Sequence, residues 1–296
     1  MAKKQTPEGL YKKKLDFINS SLSDFDKDLR KLQVGLFDSL LTNYISQLVI
    51  IDGAVVMNRK NRALLLQLDK YLDDFKRTAS LKTFAKLGDN MIKMTGLTSD
   101  YFNALVGGKK TIANLSKKVE AYRQLVGISA EGKVISGSFI DHLAEGGNLR
   151  TALSNYMQRS VGGQTDYKTF VKGFKDLVKG SKETNGAYER YVGGYAHDTF
   201  FAQGRQQDNF FAEQLGLNYF IYVGTEIKTT RPFCRSRHSK TFSREQGEAW
   251  DTMDWQGKIE DVPFFDQAGG YNCRHTIRWI TDEEAEERGV TEMNEE

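Results

Sequence analysis

Prolines are rare in this chain, and their positions limit what it can fold into. The 296 residues include three, Pro7, Pro232 and Pro263, and none lies between residues 8 and 231. A proline inside an α-helix removes a backbone hydrogen-bond donor and kinks or ends the helix. The long proline-free run therefore permits long helices over most of the chain.

The apolar residues near the N-terminus have the spacing of a helix. Their steps alternate between three and four residues over about three heptads, at Leu15, Ile18, Leu22, Phe25, Leu29, Leu32 and Leu36. Such a repeat is typical of a long helix that packs against a partner along one stripe. The partner belongs either to this chain or to a second protein, and we expect it within the chain.

Helical spacing continues through the rest of the first half. It predicts helices over residues 61–76, 80–94 and 111–126, and Gly96, Ser99–Asp100 and Gly107–Gly108 separate the last two. The more uniformly apolar stretch 40–57 predicts a buried helix, or a helix that breaks near Gly53. We place a domain boundary in the stretch 127–147, which is richer in glycine and serine, so that residues 1–135 form a helical N-terminal domain.

The second half combines helices with a small sheet. Glycine breaks predict helices of about 146–161, 165–180 and 184–215. The segment 218–224, NYFIYVG, is aromatic and β-branched and predicts a strand, and shorter strands are predicted near 240–242 and 274–280. The predicted fold is mainly α: long N-terminal helices, then an α+β module over residues 136–281 with a small antiparallel sheet at its C-terminal end. Its sheet and cysteines form a lobe over residues 216–281.

Charge is spread unevenly along the chain. The formal net charge is +3, but residues 282–296 hold eight acids and one arginine, which leaves +10 for residues 1–281. A basic excess suits work near nucleic acid or an acidic surface, and it also arises from ordinary solvated helix faces. We expect residues 282–296 to be a frayed acidic tail. No secretory signal is visible, and the apolar cluster Leu48–Met57 is too short to span a bilayer, so we expect a soluble cytoplasmic product.

Both cysteines lie near the C-terminal end, and each has a histidine close behind it. Cys234 and His238 are spaced C-x3-H, and Cys273 and His275 are spaced C-x-H. Thiolates and imidazoles in two short clusters are the ligands of a tetrahedral Zn²⁺ site, so these four residues are the candidate metal ligands. Two other interpretations are open. In one, the lobe holds no metal and the two cysteines are buried packing residues; in the other, they form a disulfide.

The residues around these cysteines resemble a family, the Mu F-like minor head proteins (head morphogenesis proteins) of tailed phages. The C-terminal module of that family has an R-T-R-like turn, a Cys or His, a G-K-x-F, an insert, and an N-C-R-C or N-C-R-H ending. The matching residues here are Thr230, Arg231, Cys234, Ser239, Lys240, Phe242, Tyr271, Asn272, Cys273, Arg274 and His275. Ser239 stands where a glycine is usual, and His275 where the last cysteine often is. The helical run that ends in Gln203–Gly204–Arg205 resembles the segment before that module.

The resemblance implies a structural role in a virion. Minor head proteins of this kind lie inside the head, associate with the portal protein, and assist head assembly or genome packaging and delivery. The implied partners are the portal, other capsid proteins and packaged DNA, with no membrane. The implied location is the virion, after assembly in the host cytoplasm.

Motifs that would indicate an enzyme are missing. The chain has no phosphate-binding G-x-x-x-x-G-K-[ST], no G-x-S-x-G and no H-E-x-x-H. Cys234 and His238 have the residue types of a catalytic thiolate–imidazole pair, but the sequence supplies no third group to orient them. We therefore expect a protein that is not an enzyme. The alternatives are a zinc-stabilised nucleic-acid-binding protein and a toxin-type enzyme carried by a phage head.

Overall fold

Long helices dominate the first half of the molecule. The computed structural model describes residues 6–107 and 115–292. The helices of this half are α1 (Pro7–Asn43), α2 (Arg59–Leu65), α3 (Leu68–Phe75), α4 (Leu81–Leu105) and α5 (Leu115–Val126). The predicted helices over 61–76 and 80–94 are thus confirmed, the first as two pieces. The start of the predicted helix 111–126 lies outside the described residues.

Helix α1 carries the heptad repeat and extends well beyond it. The six repeat residues after Leu15 are buried, at Ile18, Leu22, Phe25, Leu29, Leu32 and Leu36, and Leu15 is half-buried. Pro7 occupies the first turn, where a missing backbone N–H costs nothing. Because the stripe is buried within one chain, the expectation that its partner is intramolecular is confirmed.

The stretch 40–57 is where the helical prediction is wrong. Helix α1 ends at Asn43, and a hairpin follows, formed by β1 (Ile50–Ile51) and β2 (Ala54–Val55). Its turn residues, Asp52 and Gly53, both have positive φ, 50° and 79°. An Asp-Gly pair is a preferred two-residue hairpin turn, and its flanking β-branched residues favour strands.

In the second half, helices of up to 22 residues come before three strands, and shorter helices lie between and after the strands. The helices are α6 (Phe139–Ala144), α7 (Leu149–Gly162), α8 (Tyr167–Lys179), α9 (Gly194–Leu215), α10 (Pro232–Arg237), α11 (Arg244–Ala249), α12 (Phe264–Gln267) and α13 (Asp282–Arg288). The strands are β3 (Tyr219–Val223), β4 (Thr241–Ser243) and β5 (Thr276–Ile280). They form one antiparallel sheet in the order β4–β3–β5. The predicted fold class, with its small C-terminal sheet, is confirmed.

Aromatic side chains fill the core of the lobe over residues 216–281. The Phe220 ring on the central strand is fully buried, and its register neighbours are Phe242 on β4 and Trp279 on β5. The rings of Phe242, Trp250, Phe264, Phe265 and Trp279 have centroids 5.4–6.0 Å from that of Phe220. Offset and edge-on aromatic contacts at this range add to the free energy of burial, so a core can form on very short strands.

The chain divides into two compact units, and neither is one continuous stretch. The sheet unit draws on residues 1–20, 90–122 and 197–296, and the helical unit on residues 21–89 and 123–196. Residues 135 and 136, the predicted division, both fall in the helical unit. Helices α1, α4, α5 and α9 each contribute to both units, and a continuous helix carries no glycine or serine signal at such a division.

Residues 282–292 are more ordered than the predicted frayed tail. Helix α13 begins after Thr281, whose side chain accepts a hydrogen bond from the Glu284 N–H. Three acids occupy its first turn, where carboxylates interact favourably with the helix dipole. The Thr291 N–H also donates to the Thr241 carbonyl. Among residues 6–107 and 115–292, no helix is long and apolar enough to cross a membrane.

Candidate metal centre

The two cysteines, 39 positions apart in sequence, meet in the interior of the lobe. Their sulfur atoms are 3.8 Å apart, and both thiols are free. Nδ1 of His275 lies 3.7 Å from the Cys273 sulfur. Cys234, Cys273 and His275 are at most 5% exposed, and their ligand atoms lie within 4.8 Å of one another. This buried cluster could hold a metal ion.

Local structure explains how each ligand reaches the cluster. Pro232 starts helix α10, and Cys234 lies on the buried side of that helix together with Phe233 and Arg237. Asn272 has a φ of 57°, a left-handed conformation that asparagine tolerates, and the chain turns there into strand β5. Alternate residues of an extended segment point to the same side, which lets Cys273 and His275 face one point.

The distances match the donor set of zinc. Zinc–sulfur bonds of about 2.3 Å and zinc–nitrogen bonds of about 2.0 Å, at tetrahedral angles, place two sulfurs about 3.8 Å apart and sulfur and nitrogen about 3.6 Å apart. The observed separations are 3.8 Å and 3.7 Å. A disulfide would require the sulfurs at about 2.05 Å. The geometry therefore fits a metal better than a disulfide.

Backbone groups approach the sulfurs closely. The N–H groups of Gly269 and His275 donate to the Cys273 sulfur at 3.2 Å and 3.4 Å. A Cβ atom on Gly269 would lie 2.2 Å from the Cys234 sulfur and 2.8 Å from the Cys273 sulfur. Residue 269 must therefore be glycine for this approach. On the other side, the Tyr222 hydroxyl donates to the Cys234 sulfur at 3.3 Å, and its ring stacks on His275.

The two thiols differ in acidity. The hydrogen bond from the Cys234 thiol holds the pKa of Cys273 well below its ordinary value, although desolvation raises it. The same hydrogen bond, together with burial, raises the pKa of Cys234. Cys273 is thus the more acidic of the two thiols. A thiolate is the form of cysteine that binds a metal.

Arg205 supports the cluster, and sequence reasoning assigned it no role. Its side chain is 4% exposed, and it donates to the carbonyls of Asp266, Cys273 and His275 at 2.6–3.3 Å. Burial lowers the pKa of Arg205, and its electrostatic interaction with Cys273 opposes that change. A signal was present: Arg205 follows Phe201 by four residues and precedes Ala212 by seven, so a cation lies within an apolar helical stripe.

His238 lies beside the cluster rather than in it. It follows helix α10, and its ring centroid is 5.8 Å from that of His275, with the rings nearly perpendicular. Within the described residues, Nδ1 of His238 and Nε2 of His275 are buried without a hydrogen-bond partner. A buried polar atom without a partner costs free energy, and a metal ligand bond is one way to satisfy a nitrogen lone pair. The structure thus brings together three of the four predicted ligands and places the fourth nearby.

Other residues of the quoted pattern brace the same loops. Arg231 donates to the carbonyls of Gly269 and Tyr271. The Asn272 N–H donates to the Asp198 carboxylate at 3.1 Å, and Arg274 contacts His197 at 3.5 Å. His197 and Asp198, which are adjacent in sequence, therefore each contact the loop that carries Cys273.

Comparisons with protein-family models, with curated proteins and with solved structures gave no match for this chain. The resemblance to the Mu F-like minor head proteins therefore rests on the residues quoted for it, in segments 230–242 and 271–275. In the structure, these two segments supply the three members of one buried Cys–Cys–His cluster.

Proposed function

We propose that this chain is a structural minor head protein of a tailed bacteriophage, inside the head and associated with the portal, and that zinc holds its C-terminal lobe together. One observation carries the proposal. The two short segments with the family pattern, about 30 residues apart, converge on the same buried cluster of Cys234, Cys273 and His275. A chance match of two short motifs gives no reason for such convergence.

The main departure from the family pattern supports the same conclusion. Ser239 occupies the position where glycine is usual, and its φ is 60°, in the left-handed region. Glycine adopts that conformation without steric cost, whereas other residues do so at a cost. The backbone at Ser239 thus has a conformation that glycine adopts more easily than serine does.

Burial favours binding and structure over catalysis. A cysteine nucleophile must reach its substrate, but Cys234 and Cys273 are 2% and 4% exposed. Tyr222, fully buried, covers one sulfur with its hydroxyl and His275 with its ring. Structural zinc sites are closed in this way, whereas catalytic ones keep a position open to water or substrate. The chain is accordingly a structural protein in this proposal, not an enzyme.

Zinc suits these donors better than other common metals. Two sulfurs and an imidazole are soft to borderline ligands, which select zinc over magnesium or calcium. A structural site needs a fourth ligand, and His238 is the candidate because it follows Cys234 by four residues and its Nδ1 is buried without a partner within the described residues. With His238 as the fourth ligand, the set is the one predicted from sequence.

Elemental analysis of the purified protein tests the metal. We expect one zinc per chain and a lower melting temperature after chelation. His238→Ala should weaken zinc binding, whereas His142→Ala, which changes a side chain that is 66% exposed, should leave it unchanged. If the purified protein contains no zinc and its melting temperature is the same with and without the chelator, the proposed metal site is wrong.

A portal-binding assay tests the biological role separately. The portal protein from the same phage genome should co-purify with this chain and with the His142→Ala variant. Lack of a complex, in a preparation that holds its zinc, would contradict the minor head assignment and leave the metal site standing. The two parts of the proposal therefore fail independently.

A further inference from the structure

Helix α8 of the helical unit has an unusual exposed surface. Its exposed residues are Lys168, Thr169, Lys172 and Lys175. Between positions 166 and 182 the chain has five lysines and two aspartates. Within the described residues, Lys168, Lys172 and Lys175 make no ion pair. Asp166 lies close enough to Lys168 for their charges to interact, whereas Lys172 and Lys175 present their charges to solvent.

The lysines form a stripe because of their spacing. Lys168, Lys172, Lys175 and Lys179 are separated by four, three and four residues, which keeps them within about 60° around the helix axis at 3.6 residues per turn. They rise along the axis by about 16 Å in total. Lys179, at the end of the stripe, is partly shielded because it pairs with Asp38 at 3.4 Å and lies over the Phe37 ring.

We infer that this stripe, here called the α8 lysine surface, binds the phosphate backbone of duplex DNA. A regular row of cations along a rigid helix fits a regular row of phosphates, which recur every 3.4 Å or so along each strand. The helix is held rigidly from behind, since Phe170, Phe174 and Val178 are at most 1% exposed. This inference concerns the helical unit and does not rest on the proposed metal site.

Further cations lie on elements next to the start of α8. The Tyr167 N–H donates to the Gly53 carbonyl at 2.8 Å, and the Val55 N–H donates to the Thr165 carbonyl at 2.9 Å. Helix α2 begins four residues after Val55 and exposes Arg59, Lys60 and Arg62. Helix α7, which contacts both α2 and α8, exposes Arg159. These residues extend the positive charge beyond a single helix.

The details of α8 favour DNA over a membrane. A helix that binds a bilayer surface inserts an apolar face between the lipid headgroups. The apolar face of α8, with Phe170, Phe174 and Val178, is already buried within the protein. Only lysines and Thr169 are left for an outside partner, and these reach phosphates without entering an apolar layer.

The same details favour duplex DNA over other partners. Single-stranded nucleic acids are bound largely by stacking on aromatic rings, and none of the exposed residues of α8 is aromatic. Protein interfaces are depleted of lysine and depend on aromatic or arginine anchors. Lysines that contact phosphates read no sequence, so we expect binding without sequence preference.

Salt-dependent DNA binding by the full chain tests the inference. The probe is a labelled duplex of about 25 base pairs, titrated between about 50 and 200 mM NaCl, where each phosphate contact contributes about 0.9 to the slope of log K against log salt. The triple variant K168Q/K172Q/K175Q should weaken binding and reduce that slope by up to about 2.7. The variant K168R/K172R/K175R, which keeps the charges, should bind like the unchanged protein.

A matched control separates a defined surface from bulk charge. The variant K12Q/K13Q/K93Q removes three exposed lysines of the sheet unit and the same net charge. It should retain the affinity and slope of the unchanged protein. The inference is overturned if this control loses binding to the same extent, or if the unchanged protein does not bind the duplex at about 50 mM salt. Phosphatidylserine vesicles serve as a second probe. The inference is also overturned if K168Q/K172Q/K175Q loses binding to these vesicles but binds the duplex like the unchanged protein.

Discussion

The lobe over residues 216–281 and the helical unit are stabilised in different ways. The lobe has strands of three to five residues, an aromatic core around Phe220, and a buried Cys–Cys–His cluster. The helical unit has long helices with leucine stripes and surface ion pairs. Small sheets bury little surface, so their stability depends on a few specific contacts. The stability that an apolar stripe gives to a long helix is instead divided among many similar contacts.

Two optical signals separate these regions. All three tryptophans, Trp250, Trp255 and Trp279, lie in the lobe, so tryptophan fluorescence reports on the lobe alone. Circular dichroism at the helical wavelength reports mainly on the long helices, which lie outside the lobe and include all of those in the helical unit. If the comparison is right, changes in the lobe alter fluorescence first, and changes in the helical unit alter the helical signal.

Loss of the proposed zinc should have the largest effect. Structural zinc sites contribute about 10–16 kcal/mol of apparent binding free energy in small domains. We expect Cys273→Ser to abolish zinc binding and to lower the unfolding midpoint that fluorescence reports, while most of the helical signal stays. Ser236→Ala, an exposed change on the helix that carries Cys234, should leave both signals unchanged. Unfolding of both regions together after loss of zinc would contradict the comparison.

A core cavity in the helical unit should come next. Leu29 in helix α1 is fully buried, and truncation of a buried leucine to alanine costs about 2–5 kcal/mol. Leu29→Ala should therefore lower the denaturant midpoint of the helical signal but leave the zinc content at one per chain. Val34→Ala, at a position of the same helix that is 41% exposed, should cost less than about 0.5 kcal/mol. Loss of zinc in the leucine variant would show that the regions are not independent.

An ion pair of the helical unit should give a smaller, pH-dependent effect. Desolvation raises the pKa of Asp141, but hydrogen bonds from Lys76 and the Gly137 N–H outweigh it and hold that pKa below its ordinary value. The folded state therefore gains stability from the carboxylate above its ordinary pKa, and this gain is lost as pH falls through the lowered pKa. Asp141→Asn should cost about 1–3 kcal/mol at neutral pH and little in acid.

The control for this change is Glu145, which contacts the same lysine. Its side chain is 47% exposed, whereas that of Asp141 is 11% exposed. Glu145→Gln should therefore cost clearly less than Asp141→Asn in the same pH series of urea unfolding curves. Equal costs, or a cost of Asp141→Asn that persists in acid, would show that burial of the carboxylate is not the cause.

Local patterns in the sequence predicted much of the fold. The heptad residues from Ile18 to Leu36 are buried along α1, because their spacing places them on one face of the helix and apolar faces pack against the core. The three strands lie where aromatic and β-branched residues cluster, within one or two residues of the predicted positions. Cys234, Cys273 and His275 meet because the last two are close in sequence and the sheet brings their segment together with the segment that carries Cys234.

For the rest of the fold and site, the local signals in the sequence were short or weak. The hairpin over 50–55 has strands of two residues, too short for alternation to show. Arg205 interacts with carbonyls more than 60 positions away. The two units share helices α1, α4, α5 and α9, so composition leaves no boundary signal. Ser239 is different, since the family pattern marked the position and only the structure gave its φ.

The smallest expected effect is a gain at that position. Ser239 has a φ of 60°, where a non-glycine residue pays about 1 kcal/mol, so Ser239→Gly should raise the free energy of unfolding of the lobe by up to about 1 kcal/mol. Ser236→Gly, three residues earlier and inside helix α10, should lower it by about 0.5–1 kcal/mol, because glycine weakens a helix. Urea unfolding followed by tryptophan fluorescence measures both. A loss of stability in Ser239→Gly would mean that Ser239 does not take the place of the family's glycine, and the resemblance would lose its backbone support.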